Sequence, residues 1–225
     1  MALTSAISRM FAFCFQHQTA RTRVLDQRAR FISFKKKWRE CPKLDFAYEQ
    51  RECLYRYVQE NVIENASIHY LEFGCYKGAS IKTWARINSR PESRFFGFDS
   101  FEGLPEPWQP DTPKGTFSTG GTLPQCEDPR IRFVKGWFQE TLAPFLRDFV
   151  PASRLVVHLD ADLYSSTLYV LITLNPGPGS VLIFDEFSDF TNEFRAFEDY
   201  LAACQRNYRV IVTRKDFHKL AIEIF

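Results

Sequence analysis

The sequence predicts an α/β fold built on a doubly wound, mostly parallel sheet. From about residue 45 onward, short β-rich runs alternate with runs of helical periodicity, and most links between them are short. Two of the β-rich runs, RLVVHL and SVLIF, are continuous apolar stretches of the kind found at the centre of a parallel sheet. The length of 225 residues suits one such domain, and a composition of 45% apolar and 25% charged residues excludes wholesale disorder.

The elements can be placed in order along the chain. Residues 45–64 carry apolar and aromatic side chains at helical spacing and predict an amphipathic helix. Parallel strands are predicted at residues 67–73, 94–99, 131–135, 154–159 and 180–184, with helices at 79–87, 139–149, 165–174 and 192–206. The β-rich runs at 208–213 and 220–225 leave no room for a helix between them, which predicts an antiparallel hairpin.

Two stretches between these elements stand out. Residues 105–124 form a long link rich in Gly, Pro and Thr, and a loop of this length in a compact domain is usually functional or mobile. Four phenylalanines at helical spacing follow the fifth strand, which favours core packing over a pocket wall or a dimer face: Phe187, Phe190, Phe194 and Phe197. The sequence therefore predicts a lid at 105–124 and leaves a homodimer or higher homo-oligomer open.

The net charge of +2 is the sum of two unlike parts. Residues 1–45 carry a net charge of +7 and residues 46–225 a net charge of −5. This division predicts a basic N-terminal leader over residues 1–45, helical or partly flexible, ahead of one domain over residues 46–225. Three interpretations of the leader remain open: a helix that covers the active site or contacts another subunit, a transit-like extension, or an arm that binds an anionic surface.

The six cysteines, at positions 14, 41, 53, 75, 126 and 204, form no CxxC pair and no cluster with histidine. This excludes a zinc ribbon and favours reduced thiols in a cytoplasmic protein. The long uncharged stretch at 163–184 is interrupted by Pro and Gly, so it predicts helix, turn and strand rather than a membrane span.

A glycine-containing turn followed by an acid predicts a nucleoside site. In LEFGCYKGAS, Gly74 and Gly78 lie between a strand and a helix, where backbone amides can approach a ligand. Asp99 ends the next strand, 21 residues after Gly78, where an acid can bind a ribose diol. The pair does not distinguish NAD from S-adenosylmethionine, and the turn alone is also compatible with an ordinary β–α connection. Two details favour the second ligand: Tyr76 stands where a pyrophosphate needs glycine, and Glu72 suits an ammonium group.

Four carboxylates follow two central strands. Asp160 and Asp162 come after the fourth predicted strand, and Asp185 and Glu186 after the fifth. Ligands bind at the carboxyl ends of strands in open α/β sheets, and oxygen ligands there suit Mg²⁺. The alternative for Asp162 is to cap the following helix. His158 lies inside the apolar strand and is predicted to be a core residue.

Several strings, taken in order, resemble class I S-adenosylmethionine-dependent methyltransferases. LEFGCYKGAS, FFGFDSFEGLPEPW, KGWFQETL, HLDADLYSST and VLIFDEF are most similar to the macrocin O-methyltransferase (TylF/MycF) type, over roughly residues 45–225. The resemblance implies a Rossmann-like, seven-stranded sheet with a final antiparallel strand. It also implies a transferase whose acceptor is a hydroxyl of a small sugar-like or natural-product molecule.

The resemblance also distributes roles among the residues. The residues implied to contact S-adenosylmethionine are Glu72, Gly74, Tyr76, Gly78, Ser80, Asp99, Ser100, Gly136, Trp137, Phe138 and Asp160, with Asp99 on the ribose and Gly136-Trp137-Phe138 beside the adenine. Asp160, Asp185 and Glu186 take the three positions that hold a metal in metal-dependent members. Glu186 departs from the usual Asp or Asn, and Leu163 stands where catechol-type relatives have a lysine base.

These roles lead to a mechanism with rivals. Mg²⁺ on Asp160, Asp185 and Glu186 would activate the acceptor hydroxyl, and Asp162 or His218 would take its proton. The rivals are a non-catalytic Rossmann-like binding or scaffold module and, disfavoured by Tyr76, an NAD-dependent oxidoreductase. A nucleic-acid methyltransferase is disfavoured because Asn175-Pro176 is followed by Gly177 rather than by the base-methylation signature.

Overall fold

The computed structural model describes residues 20–225. Its elements, in chain order, are α1 (Ala20–Lys37), β1 (Lys43–Leu44), α2 (Glu52–Val58), β2 (Ile68–Phe73), α3 (Ala79–Ile87), β3 (Arg94–Asp99), β4 (Ile131–Lys135), α4 (Phe138–Asp148), β5 (Arg154–Leu159), α5 (Tyr164–Leu174), β6 (Val181–Phe184), α6 (Glu193–Cys204), β7 (Tyr208–Arg214) and β8 (Leu220–Ile224). A π-helical segment, Gln59–Ile63, continues α2.

One mixed sheet of eight strands organises these elements. The strand order is β1-β7-β8-β6-β5-β2-β3-β4, and only β8 runs antiparallel to its two neighbours. The α/β class and the C-terminal antiparallel hairpin are therefore confirmed. The strand count of seven is wrong, because Lys43 and Leu44 pair in parallel with Thr213 and Arg214 as an additional edge strand. Two residues are too short a run to produce a strand pattern in the sequence.

The topology brings the carboxyl ends of seven strands, all except β8, to one edge of the sheet. β2 lies between β3 and β5, so the order of the strands reverses at β2, where ligands bind in open α/β sheets. Backbone hydrogen bonds continue one residue beyond the strands: the amide of Asp160 donates to Phe73 O at 3.0 Å, and that of Asp185 donates to Leu159 O at 3.1 Å. The residues that follow these strands are thereby held by the sheet's own ladder.

The predicted helix at 45–64 is shorter than expected. Residues 45–51 are turns and irregular backbone, and the helix begins only at Glu52. The physical reason is tertiary: Tyr48 and Arg51 point into the carboxyl edge of the sheet, where they bind acids 138 and 109 residues away. Helical propensity is a weak preference that such contacts override.

The described part of the basic leader packs on the body of the protein. In α1, Phe31 and Phe34 are buried against Phe187 and Phe194, with ring centroids 5.1–6.4 Å apart. The phenylalanines after β6, which is the fifth predicted strand, were expected to form core. This prediction is confirmed, since Phe187, Phe194 and Phe197 are buried in the same cluster. Residues 1–19 of the predicted leader, Cys14 included, lie outside the described residues.

Two further expectations concern cysteines and membranes. The five cysteines within residues 20–225 are all free thiols. In that same part of the chain, no helix combines the length and the hydropathy that crossing a bilayer requires.

Candidate active site

A cleft of about 240 Å³ opens at the carboxyl edge of the sheet. The predicted site residues that line it are Gly74, Tyr76, Ser80, Asp99, Ser100, Gly136, Trp137, Phe138, Asp160, Asp162, Asp185 and Glu186. Three predicted residues, Glu72, Gly78 and His218, are not among its lining. The structure thus brings most of the predicted site together around one cavity.

Gly74 is the point where two strand ends meet. Its φ of +94° lies in the left-handed region, and a Cβ there would stand 1.8 Å from the carbonyl oxygen of Asp160. Only glycine allows this approach, since any side chain would have to displace backbone. The cleft floor therefore depends on this residue.

The start of α3 forms the adjoining wall. Gly78 caps the helix with a φ of +72°, and a Cβ at that position would press on Phe133 and Pro124 at 3.1–3.2 Å. Gly78 therefore shapes the turn from behind rather than touching the cleft. The first amides of α3 have no intrahelical partner and favour an anionic or polar ligand group at that end.

Glu72 does not have the exposure that binding an ammonium group requires. Its side chain is fully buried. Its two oxygens accept hydrogen bonds from Tyr70 Oη and Ser80 Oγ, each at 2.5 Å. Tyr70 also contacts His158 Nδ1 at 2.7 Å. The predicted contact of Glu72 with the methionine moiety is therefore not supported, and Glu72 instead fixes α3 to the sheet beneath the cleft.

Asp99 lines the cleft and organises the glycine turn at the same time. Its Oδ2 accepts the amides of Cys75 and Tyr76 at 2.8 and 2.7 Å, and its Oδ1 accepts the amide of Phe101 at 2.7 Å. A carboxylate has about four acceptor positions, so Oδ1 retains one for a ligand hydroxyl. Asp99 is placed where a ribose contact needs it, with one acceptor position free.

The segment after β4 supplies aromatic surface. Gly136 has a φ of +137° and turns the chain into α4, with Trp137 at the helix N-cap. Phe138 packs edge-on against Phe73, with centroids 5.5 Å apart, and so belongs partly to the core. Trp137 is half-buried and is the ring in this segment that remains for stacking with a ligand.

The loop at 105–124 covers one side of the cleft, as predicted for a lid. Its wall residues include Trp108 and Phe117. The indole of Trp108 donates to Asp189 Oδ2 at 2.9 Å, and Phe117 packs against Tyr76 with centroids 5.9 Å apart. The loop therefore contacts the site at two places: Phe117 packs on the glycine turn, and Trp108 binds the segment that follows β6.

Asp160 and Asp185 face each other across a guanidinium group. Arg51 Nη1 lies 3.0 Å from Asp160 Oδ2 and 3.2 Å from Asp185 Oδ2. A second cation, Lys219 Nζ, lies 2.5 Å from the same oxygen of Asp185 and is 1% exposed. Burial acts to raise the pKa of Asp185, but the hydrogen bond from His158 and the charge of Lys219 outweigh it and hold that pKa below its usual range.

Glu186 lies apart from this pair and has its own partners. Its Oε1 accepts from Tyr48 Oη at 2.6 Å, and its Oε2 lies 2.6 Å from His218 Nε2. The other nitrogen of His218 is 2.6 Å from Ser188 Oγ. Both nitrogens of His218 are therefore engaged and its ring does not line the cleft, which does not support its predicted role as base.

Asp162 is the acid without a partner. It is buried against the cleft with a φ of +58°, and no hydrogen bond or ion pair reaches its side chain from residues 20–225. Burial, and after it the charge of Asp160, raises the pKa of Asp162 to about 8. The helix-cap alternative is not supported, because the amide of Tyr164 at the start of α5 donates instead to Asn192 Oδ1 at 3.0 Å.

The predicted magnesium ligands do not fit a divalent ion as they stand. Among the described residues, the potential ligand atoms that lie within 4.8 Å of one another belong to His158, Asp160 and Asp185, and Glu186 is not one of them. His158 is fully buried, as predicted, and the acid pair already holds Arg51. The arrangement of these side chains therefore does not support the predicted metal assistance.

Tyr48, Arg51 and Lys219 are the site residues that the sequence reasoning missed. Tyr48 and Arg51 fall in a segment that was predicted to be helical, and Lys219 directly precedes an apolar strand. A lysine next to a buried strand is a weak signal of a buried ion pair, since unpaired lysines are rarely buried. Nothing local in the sequence distinguishes Arg51 from the exposed arginines near it.

Comparisons with known proteins find a matching family and similar folds. The model of the family described as macrocin-O-methyltransferase (TylF) matches residues 48–212. A curated relative from Streptomyces olivaceus is 8-demethyl-8-(2,3-dimethoxy-alpha-L-rhamnosyl)-tetracenomycin-C 4'-O-methyltransferase. It is 29% identical over a region covering 52% of this chain and 52% of the relative, so the match spans about half the length of that protein.

Solved structures show the same fold. The calicheamicin methyltransferase CalS11 superposes with a TM-score of 0.59 at 22% identity, covering 78% of this chain and 77% of that one. The O-methyltransferase NovP gives a TM-score of 0.59 at 21% identity, covering 77% and 78%. An O-methyltransferase from Bacillus cereus, solved in complex with SAH, gives 0.50 at 15% identity, covering 88% and 90%.

Proposed function

The chain belongs to the macrocin O-methyltransferase (TylF) family, and from this premise we propose that it transfers a methyl group from S-adenosylmethionine to a hydroxyl of a small acceptor. The observation that carries the proposal is the cleft itself. Gly74, Asp99 and Trp137 line one part of it, and the unpaired acid Asp162 lines another. A cofactor pocket and an acid with a raised pKa thus share one cavity.

The cofactor would be held by the residues around the glycine turn. Gly74 leaves the floor open, the start of α3 presents amides, and the free acceptor position of Asp99 suits a ribose hydroxyl. Trp137 offers a face for the adenine. When bound, S-adenosylmethionine supplies an electrophilic methyl group on a sulfonium centre.

The remaining residues handle the acceptor. Asp162, when ionised, would take the proton of the acceptor hydroxyl, and S-adenosylmethionine would supply the methyl group and leave as S-adenosylhomocysteine. Trp108 and Phe117 in the loop exclude water and orient the acceptor, since positioning supplies much of the rate in such a displacement. The acceptor class is a sugar-like or natural-product hydroxyl, by similarity to the Streptomyces olivaceus relative, which acts on a rhamnosyl compound.

The proposal also includes the broader setting of the protein. A single methyltransferase domain over residues 46–225, preceded by the basic segment, agrees with the extent of the family match. Free thiols agree with a cytoplasmic location. The homo-oligomer remains a prediction.

Calorimetry with S-adenosylmethionine tests the cofactor site. We expect Asp99→Ala to weaken binding by about tenfold or more, because it removes a charge-assisted hydrogen bond and frees the turn amides. Asp148→Ala is the matched control, since Asp148 is an exposed acid at the end of α4 and its loss leaves affinity unchanged. Equal affinity of all three proteins would contradict the assignment of Asp99.

A screen of hydroxylated acceptors with methyl-labelled S-adenosylmethionine tests the transfer itself. Deoxysugar glycosides and phenols form the two arms, and we expect label to appear on the first. Cofactor binding without transfer to any acceptor would favour the binding-module alternative. An absence of cofactor binding would contradict the proposal as a whole.

A further inference from the structure

We infer that the guanidinium of Arg51 is the resident cation of the Asp160–Asp185 pair, in the position that a divalent metal takes in a metal-dependent site. The first support is geometric. A single nitrogen, Nη1, lies 3.0 Å from one carboxylate and 3.2 Å from the other. A bridging Mg²⁺ needs both oxygens at about 2.0–2.1 Å, so it cannot bind the pair while Arg51 is there.

The second support is the balance of charge. The two carboxylates of the pair face two fixed cations, Arg51 and Lys219, so the site is neutral without an added ion. Lys219 is held tightly: its Nζ contacts the side chain and the backbone oxygen of Asp185 at 2.5 and 3.2 Å, and it lies 4.1 Å from the ring centroid of Tyr48. With both cations in place a divalent ion finds no unbalanced charge at the pair, whereas loss of Arg51 would leave the two carboxylates with a single cation and a net charge of −1.

The third support is that, within residues 20–225, no free ligand atom on the cleft side lies within 4.8 Å of the pair. Both oxygens of Glu186 are engaged, by Tyr48 and His218. His158, the remaining potential ligand near the pair in the described chain, is fully buried and contacts Tyr70 through Nδ1. With Glu186 engaged, this buried imidazole is the one further ligand within 4.8 Å of the pair among the described residues.

Arg51 is also held in a way that suits an acceptor. It lines the cleft at the start of α2, and Tyr48, three residues earlier, anchors the same segment to Glu186. Only Nη1 of Arg51 contacts a carboxylate in the described structure, which leaves Nε and Nη2 as donors. These groups can stabilise negative charge on an acceptor oxygen, as a metal would, without a metal. This role of Arg51 toward the acceptor rests on the proposed function.

Binding of Mn²⁺, followed by the electron paramagnetic resonance of the free ion, tests the inference without any reaction. We expect the parent protein and the control Arg56→Ala, from an exposed arginine of the same helix, to bind no Mn²⁺. We expect Arg51→Ala to bind one ion per chain, because Asp160 then loses its partner. One bound Mn²⁺ in the parent protein would overturn the inference, and so would no binding by a folded Arg51→Ala.

Near-ultraviolet circular dichroism checks that Arg51→Ala is folded, and Arg51→Gln replaces it if it is not.

A second test uses the parent protein alone. Its transfer rate after treatment with EDTA should be unchanged, and a loss of rate that Mg²⁺ restores would overturn the inference. In Arg51→Ala we expect kcat to fall by about tenfold or more. Guanidinium chloride added to Arg51→Ala should restore part of the lost kcat, and the same concentration of NaCl should not. Equal effects of the two salts would show that Arg51 has only a structural role and would overturn the inference. Because the Mn²⁺ measurement uses neither cofactor nor acceptor, it stands even if the proposed transfer fails.

Discussion

Replacing Gly74 with alanine should destabilise the protein and weaken cofactor binding together. The new Cβ would lie 1.8 Å from the carbonyl oxygen of Asp160, at a φ of +94°. The left-handed backbone costs an L-residue about 1–2 kcal/mol, and relieving an overpacked contact costs about 1–3 kcal/mol more. We therefore expect Gly74→Ala to lower the free energy of unfolding by about 2–5 kcal/mol.

Two other glycines separate the two costs. Gly179 has a φ of +85°, and a Cβ at that position would meet no heavy atom within 4 Å, so Gly179→Ala measures the backbone cost alone. Gly177 has open space and no left-handed φ, so Gly177→Ala measures neither cost. The difference between Gly74→Ala and Gly179→Ala then isolates the contact with Asp160.

Reversible urea unfolding and thermal melting provide the measurements. In a domain of this size about 1 kcal/mol shifts the melting temperature by about 2–4 °C, which predicts a fall of about 4–20 °C for Gly74→Ala. Cofactor affinity should also fall by about tenfold, because the cleft floor must move. If Gly74→Ala were as stable as Gly179→Ala, the close approach of the β2 and β5 ends would not be a real constraint.

Three more predictions follow from single contacts. Asp162→Asn should lower kcat by about 10²–10⁴-fold without changing cofactor affinity in calorimetry. In the parent protein kcat should rise with pH through about 8 as the buried carboxyl of Asp162 ionises. If the same rise persists in the variant, Asp162 is not the base. Trp108→Phe removes the hydrogen bond to Asp189 and should raise the KM of the acceptor by about tenfold, since such a bond to a charged group is worth about 1.5–3 kcal/mol. An unchanged KM in steady-state kinetics would contradict the role of this loop as a lid. Phe34→Ala should lower the free energy of unfolding in urea by about 3–5 kcal/mol because its ring is buried. Ile32→Ala, at a position 57% exposed, should change that free energy by no more than about 0.5 kcal/mol. Equal losses in the two variants would contradict the packing of α1 on the body through Phe34.

The features that were predictable from sequence are those with a local pattern. The glycine turn and the acids after β5 and β6 directly follow apolar strands, and Asp99 is the last residue of β3. Strand ends of a parallel sheet share one edge. The alternation of side chains along a strand also explains one contact of Glu72. Tyr70 and Glu72 are two residues apart in a strand, so their side chains share a face, and their hydrogen bond follows from that.

The features that were missed depend on contacts between distant parts of the chain. Arg51 and Tyr48 reach acids more than 100 residues later, and no window along the sequence shows such a pairing. The metal prediction came from a cluster of acids that is visible in the sequence, whereas no local pattern shows that Arg51 lies between two of these acids. The strand at Lys43–Leu44 exists only because β7 offers it an edge.

The position of β8 has a consequence for the order in which the site is assembled. This strand, the last in chain order, lies inside the sheet between β6 and β7, and its five residues are all buried. During synthesis from the N-terminus, β6 therefore keeps an open edge, and β7 and β1 have no sheet to join, until β8 has emerged. Lys219 arrives with it, immediately before its first residue. Until then the nascent chain holds Asp185 without its buried ammonium partner, so a polypeptide halted before β8 carries the acids of the site but only part of the charge that balances them.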